Sequence, residues 1–184
     1  ISKILNFDKA SQNQQPFSNI ALHENEIPFT FTDTIIEQVN NLEKFSNEQR
    51  EDIRNIPLIT IDDADAKDFD DAVFAEPWEH NGDDDGWHII VAIADVAWYV
   101  REGKELDQEA FDRGNSVYFP DMVVPMLPET LSNDLCSLKP NEDRPCLAVH
   151  IWIDVDGNMV KFKFIRGLMR SFAGLNYQQV QMTI

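Results

Sequence analysis

The sequence predicts an α+β fold, a mainly antiparallel β-sheet with flanking helices. Residues 147–155 and 159–165 alternate apolar and polar side chains around Asp156-Gly157, a dipeptide typical of a tight hairpin turn. The apolar run 88–94 follows a turn rich in Gly and Asp, which indicates a second hairpin. The chain has 184 residues, of which 43% are hydrophobic, enough for one domain with a sizeable core.

The first region, residues 1–55, is predicted to be a linker and lead-in segment with one helix. Residues 1–31 are polar and irregular, and Ser-Gln-Asn-Gln-Gln-Pro at 11–16 is typical of a linker or loop. Asp33 is expected to cap the helix, because apolar residues recur behind it at helical spacing. These residues are Ile35, Ile36, Val39 and Leu42.

The second region, residues 56–184, begins with an apolar run that predicts a buried strand at 58–61. A strand at about 72–76 and the turn at 80–86 follow. We expect the run 88–94 to form a central strand, paired with 72–76 as an antiparallel hairpin.

Two short helices are predicted in the same region. One extends from Asp107, as an acidic N-cap, to Arg113 and ends at Gly114. The other opens at Asn176, because Gln179 three residues later completes a capping box. Since the chain begins at Ile1 rather than Met and stops soon after this helix opens, we expect a piece of a longer protein.

Composition restricts the setting of the protein. No apolar run approaches the roughly 20 residues that cross a bilayer, and residues 1–15 lack the layout of a signal peptide, so we expect a soluble protein without a membrane partner. Cys136 and Cys146 form no CxxC pair, which favours buried free thiols in a reducing cytoplasm. No pattern calls for an organic cofactor.

The net charge of −18 argues against a nucleic-acid partner, because phosphate binding normally requires a basic surface. One explanation places part of the negative charge in a cation site and the basic surface in segments outside this chain. The other is a generic acidic surface that favours solubility.

The acidic segment 62–71 holds six aspartates within ten residues, directly after the strand at 58–61. Carboxylates crowded within a few ångströms repel one another, so some must stay protonated or share a cation. Oxygen ligands without Cys or His favour Mg²⁺ or Mn²⁺ over zinc. An EF-hand calcium loop fails in both possible registers, since Ala72 and Val73, or Lys67 and Asp68, occupy its fifth and sixth positions.

The residues alone leave three interpretations of this segment open. Aspartates that hold Mg²⁺ and a phosphodiester would form a metal-dependent phosphoryl-transfer site. A structural cation loop and a solvated acidic loop are the alternatives.

The order of four motifs resembles the RNB catalytic domain of the ribonuclease II and ribonuclease R family, with details closer to ribonuclease R. The first is Ile61-Asp62 followed by Ala66-Lys67-Asp68-Phe69-Asp70-Asp71-Ala72, and the strand 90–96 continues it. Further along, the matching segments are Asn115-Ser116-Val117-Tyr118-Phe119-Pro120, Pro125-Met126-Leu127-Pro128 and residues 131–138. The resemblance covers residues 56–184 as the N-terminal part of that domain, and 21–31 resemble its lead-in.

This resemblance implies a 3′→5′ exoribonuclease that hydrolyses single-stranded RNA to nucleoside 5′-monophosphates with Mg²⁺. It implies that Asp62 and Asp71 ligate the metal directly, that Asp70 is the residue most needed for the chemical step and that Asp68 completes the site. Tyr118 matches an aromatic residue that stacks on nucleotides at the RNA 3′ end. The family's phosphate-binding arginine and its RNA-binding domains are not found in this chain, so we expect it to be poorly active alone.

Two alternatives remain. A catalytically inactive RNB-like module would bind RNA or protein, but it would be expected to lack one of the four aspartates. A structural cation-binding domain would leave the match at Tyr118 unexplained. We expect structural roles for Asp63, Asp65, Asp95, Trp98, Tyr99, Asn133, Asp134 and Arg144, with an internal ion pair for Arg144, and no chemistry for His80, His88 and His150.

Overall fold

A seven-stranded sheet organises the protein. The computed structural model describes residues 16–43, 45–80, 83–120 and 122–183. Its strands are β1 (Glu51–Asp52), β2 (Ile59–Asp62), β3 (Asp71–His80), β4 (Asp83–Ala94), β5 (Val117–Tyr118), β6 (Val123–Val124), β7 (Asp143–Asp154), β8 (Met159–Arg170) and β9 (Ala173–Asn176). The large sheet has the order β1-β8-β7-β4-β3-β2-β9, and β5-β6 form a separate ribbon. The predicted α+β class and the central position of β4 are confirmed.

Most neighbouring strands of the sheet are antiparallel. The exceptions are the two outermost pairs, β1 with β8 and β2 with β9, which are parallel. The helices are α1 (Pro16–Glu24), α2 (Asp33–Asn40), α3 (Val96–Tyr99), α4 (Glu105–Arg113) and α5 (Tyr177–Gln181), with a π-helical turn at Leu131–Leu135. None of the helices in the described ranges is long and apolar enough to cross a membrane.

The α1 helix corrects the prediction of irregular structure across residues 1–31. It begins at Pro16, a residue favoured in the first helical turn, and buries Leu22 and Ser18. Its few apolar residues do not repeat clearly, so tertiary burial rather than amphipathic spacing stabilises it. Of the predicted linker at 11–16, residues 11–15 lie outside the described part of the chain.

Two predicted caps were placed incorrectly. Thr32, not Asp33, caps α2, since its side chain accepts a hydrogen bond from the Ile35 amide. The N-cap position of α4 is Lys104, and Asp107 instead accepts a hydrogen bond from the Gly103 amide at 2.8 Å. Short polar side chains near a helix start compete for the same amides, so the sequence does not decide between neighbours.

Both predicted hairpins are confirmed, with longer strands than expected. The β3–β4 ladder extends from Asp71, opposite Ile93, to the far end of both strands, and the turn residues Asn81 and Gly82 lie outside the described ranges. Between β7 and β8, Gly157 adopts φ 82°, and the Asp154 carboxylate accepts hydrogen bonds from the amides of residues 156 and 158. The α5 capping box is also present, with both reciprocal bonds at 2.8 Å.

One face of the sheet forms the core. Cross-strand partners share a face, so the row Ala92, Ala148 and Ile165 lies together beneath the helices and loops. The opposite face is also apolar but open to solvent. Its exposed large side chains include Trp87, Ile93, Leu147, Phe162 and Phe164, the last two in edge-to-face contact.

A buried ion pair connects the residue before β1 with the residue after β4. The Arg50 guanidinium donates to the Asp95 carboxylate at 2.7 Å, and the two side chains are only 3% and 4% exposed. Asp95 occupies the N-cap position of α3, but its side chain forms no capping bond, so its structural role lies in the ion pair. The predicted internal ion pairing of Arg144 is confirmed by its contacts with Asp134 and Glu142.

Candidate active site

The acidic segment connects the end of β2 to the start of β3. Asp62 is the last residue of β2 and Asp71 the first of β3. Because Asp71 pairs with Ile93 near the end of β4, the segment lies beside the C-terminal end of this central strand. The Ala94 amide donates to the Asp70 carbonyl at 2.9 Å and holds the segment against the end of β4.

A cavity of about 710 Å³ opens over this segment. Its walls are formed by the acidic segment, the β5–β6 ribbon, the π-helical turn with the residues just before it, and the start of α5. The lining residues are Asp62, Asp63, Asp65, Ala66, Lys67, Asp68, Asp70, Ser116, Tyr118, Phe119, Val123, Pro125, Glu129, Ser132, Asn133 and Tyr177.

Four of the five predicted site residues line this one cavity. They are Asp62, Asp68, Asp70 and Tyr118. Asp71 does not line it, although its charge acts on Asp62 and Asp70. Segments 50 residues apart in the chain therefore face the same space.

The carboxylates of the segment repel one another. The pKa of Asp62 is raised, first by desolvation and then by the charges of Asp71 and Asp68. Desolvation and the same two neighbours also raise the pKa of Asp70. The Oδ2 atom of Asp62 is buried and has no hydrogen-bond partner among the described residues. A buried carboxylate oxygen without a donor is costly, and a cation would relieve that cost.

This donor set suits a hard divalent cation. The available ligands are carboxylate oxygens, which Mg²⁺ and Mn²⁺ prefer. Within the ranges that the structure describes, no three His, Cys, Asp or Glu side chains already form a ligand set. The aspartates would therefore have to draw together around an ion rather than receive it in a preformed cage.

Tyr118 reaches the acidic segment from the β5–β6 ribbon. Its hydroxyl donates a hydrogen bond to Oδ2 of Asp68 at 3.2 Å, while the residue remains 66% exposed. The Ser116 hydroxyl accepts a bond from the Met126 amide at 3.0 Å, which closes the base of the ribbon. An exposed ring beside the carboxylates is available to stack on a base.

Several lining residues were not predicted as part of the site. Ser116, Ser132 and Asn133 lie inside segments that resembled the family, and this resemblance was a signal that could have identified them. Glu129 and Tyr177 carried none, since only the fold brings them to the cavity.

The histidines in β4 and β7 lie away from the cavity, towards the hairpin end of the sheet. His88 hydrogen-bonds His150 at 2.9 Å and Glu76 at 2.9 Å, and its ring stacks on Trp152. Burial and the neighbouring His88 lower the pKa of His150. That these residues have no catalytic role stays a prediction, as does the role of His80, whose side chain is outside the described structure.

Comparison with known proteins agrees with this geometry. The sequence pattern of the RNB domain matches residues 50–184, and the chain belongs to this family. Ribonuclease R of Vibrio parahaemolyticus is 46% identical over 167 residues, which are 89% of this chain and 20% of that protein. The chain thus spans about a fifth of the length of such curated relatives.

Two solved structures of Mycoplasma genitalium RNase R have the same fold. The complex with double-stranded RNA superposes with a TM-score of 0.84 at 34% identity, covering 93% of this chain and 31% of that one. The complex with ribose-methylated single-stranded RNA gives 0.82 at 35% identity, covering 91% and 26%. The resemblance to ribonuclease R noted in the motifs is confirmed.

Proposed function

We propose that the protein to which this chain belongs is a 3′→5′ exoribonuclease that hydrolyses single-stranded RNA to nucleoside 5′-monophosphates with Mg²⁺ or Mn²⁺. The observation that carries the proposal is the convergence of Asp62, Asp68, Asp70 and Tyr118 on one cavity. Similarity to ribonuclease R, and the RNA bound in the two M. genitalium structures, support RNA as the substrate.

Asp62 and Asp71 are the proposed direct ligands of the cation, as the resemblance to the family implies, and Asp68 completes the site. Asp71 does not line the cavity in this structure, so its side chain would have to turn towards the ion. The assignment of Asp62 is supported by its Oδ2 atom, which has no hydrogen-bond partner in the part of the chain that the structure describes, since a ligand oxygen needs a free lone pair. A bound divalent ion supplies polarisation of the phosphoryl group and lowers the pKa of bound water. Asp70 is assigned to the chemical step on the resemblance to the family, and its place in the cavity lining, with its backbone held by Ala94, supports that assignment.

Tyr118 is proposed to bind the 3′ end of the RNA by stacking. Stacking does not read sequence, so it suits an enzyme that removes every nucleotide in turn. The hydrogen bond to Asp68 places the ring beside the proposed metal site. A nucleotide held there has its phosphate close to the acidic segment.

The net charge of −18 does not oppose this proposal. The chain represents about a fifth of the length of its curated relatives, so most of the phosphate-binding surface can belong to the remainder. A negative net charge is expected of the part of the protein that holds the cation.

The runner-up is a catalytically inactive module that binds RNA or protein. It has less support, because Asp62, Asp68, Asp70 and Asp71 are all present. Incubating the full-length protein and Mg²⁺ with single-stranded RNA labelled at either end distinguishes the two. The proposal expects immediate release of a 3′ label as mononucleotide and a gradually shortening 5′-labelled product, both lost in EDTA. RNA binding without release would favour the inactive module.

A further inference from the structure

The buried hydroxyl group of Ser137 forms two hydrogen bonds to the backbone of the acidic segment. Ser137 is fully buried. Its Oγ donates to the Lys67 carbonyl at 2.8 Å and accepts from the Phe69 amide at 3.1 Å. A serine hydroxyl can donate and accept at the same time, so one side chain fixes the backbone on both sides of Asp68.

Main-chain groups continue this attachment. The Leu138 amide donates to the Phe69 carbonyl at 2.8 Å, and the Ala94 amide donates to the Asp70 carbonyl at 2.9 Å. The backbone from residue 67 to residue 70 is therefore tied to two different elements, the segment after the π-helix and the end of β4.

Ser137 is itself held in place. Its amide donates to the Asp134 carbonyl at 3.0 Å, and its carbonyl accepts from Nε of Arg144, also at 3.0 Å. The Arg144 guanidinium in turn contacts the carboxylates of Asp134 and Glu142. The hydroxyl thus projects from a rigid support rather than from a free loop.

This attachment opposes the repulsion among the aspartates. Six aspartates lie within residues 62–71, and Asp62, Asp68 and Asp70 line the same cavity, so their like charges repel one another and favour a spread-out segment. Mg²⁺ requires near-octahedral geometry, so a segment free to spread would bind it weakly. Groups behind metal ligands commonly fix their orientation and affect affinity.

We propose that Ser137 is a positioning residue for the metal site, acting through the backbone of residues 67–69 to hold Asp68 and Asp70 for the cation. This inference rests on the proposed function of the acidic segment. Ser137 does not line the cavity, so it would act through the backbone of the acidic segment rather than on substrate or cation directly.

The test measures Mn²⁺ binding to the full-length protein by the loss of the electron paramagnetic resonance signal of free Mn²⁺. The variants are Ser137→Ala and, as a matched control, Ser171→Ala. Ser171 is a second buried serine, whose hydroxyl donates to the Ala173 carbonyl at 3.2 Å instead of to the acidic segment. We expect Ser137→Ala to weaken Mn²⁺ binding by about 10- to 100-fold and the control to leave it unchanged.

Mononucleotide release at increasing Mg²⁺ gives the second readout. In Ser137→Ala the Mg²⁺ concentration for half-maximal rate should rise by the same factor, while the KM for RNA at saturating Mg²⁺ stays constant. A general loss of stability would affect both serine variants alike. If Ser137→Ala does not fold, Ser137→Cys, which is slightly larger and has a weaker hydrogen-bonding group, is compared in its place.

Equal Mn²⁺ affinity in the Ser137 and Ser171 variants would overturn the inference. If the unmodified protein bound Mn²⁺ but released no mononucleotide, the proposed activity would fail, while the Mn²⁺ affinities would still decide the role of Ser137. If it bound no Mn²⁺, both proposals would fail.

Discussion

The Tyr118 hydroxyl donates a hydrogen bond to Oδ2 of Asp68 at 3.2 Å, across 50 residues of sequence. This contact joins the β5–β6 ribbon to the acidic segment and brings an exposed aromatic ring to the proposed metal site. If the proposed function holds, the same residue pair would serve both to bind the RNA end and to arrange the carboxylates.

Replacing Tyr118 separates its ring from its hydroxyl. Tyr118→Ala should raise the KM for single-stranded RNA by roughly 5- to 150-fold, because it removes a stacking contact of about 1–3 kcal/mol. Tyr118→Phe keeps the ring and loses only the bond to Asp68, so its KM should stay close to that of the unmodified protein. Steady-state kinetics on the full-length protein measures both. Equal KM values for the two variants would argue against stacking.

Asp62→Asn should have opposite effects with and without metal. In EDTA near neutral pH the variant should be somewhat more stable to urea, because it removes a partly desolvated charge that Asp71 and Asp68 repel. The unmodified protein should gain about 2.7 kcal/mol when Mg²⁺ is 100 times its Kd.

The Asp62 variant should gain much less from Mg²⁺ than the unmodified protein. Asp65→Asn, at an exposed position in the same segment, serves as the control and should keep the metal response. Equal stabilisation of all three proteins by Mg²⁺ would show that the ion binds elsewhere.

The buried Arg50–Asp95 pair should contribute strongly to stability. Arg50→Ala leaves the Asp95 carboxylate buried without its partner, which typically costs about 3–5 kcal/mol. Lys163→Ala breaks an exposed pair with Glu51 and should cost less than about 1 kcal/mol. Urea unfolding of both variants measures the difference. Similar small losses would mean that the pair is accessible to water.

The two cysteines should be unreactive in the folded protein. Burial raises the pKa of each thiol to about 12, so at pH near 8 almost no thiolate is present. Labelling by a disulfide reagent should be slow in native buffer and fast for both thiols in denaturant, where the pKa returns to about 8.5. Rapid labelling of one thiol in native buffer would contradict the burial of Cys136 or Cys146.

Local patterns predicted the parts of the fold that depend on neighbouring residues. The Asp156-Gly157 turn and the Asn176 capping box are both present, because each rests on backbone preferences within four residues. The α1 helix was missed, since its apolar residues do not recur at clear helical spacing, although Leu22 is buried in the fold.

The residues of the candidate site also divide into those that the sequence identified and those that only the fold brings together. The acidic segment 62–71 stood out because crowded carboxylates repel one another, while the resemblance to the family singled out Asp62, Asp68, Asp70 and Tyr118 within the sequence. Tyr177 could not be identified, since its position depends on how α5 packs against the acidic segment. Ser137 lies in a segment that resembled the family, but its contact with residues 67–69 depends on how the π-helical turn packs against the acidic segment. Distance in sequence, rather than residue type, set this limit.

The most direct measurement compares mononucleotide release from 3′-labelled single-stranded RNA by the full-length protein and its Asp70→Asn variant in Mg²⁺, with Asp65→Asn as control. Asn matches Asp in shape, and the Asp70 backbone is held by Ala94, so folding and RNA binding should persist. Because metal-assisted chemistry involves several kcal/mol, we expect release by Asp70→Asn to fall by roughly 100-fold or more, with the control unaffected. Undiminished release by Asp70→Asn would contradict the assignment of this cavity as the active site.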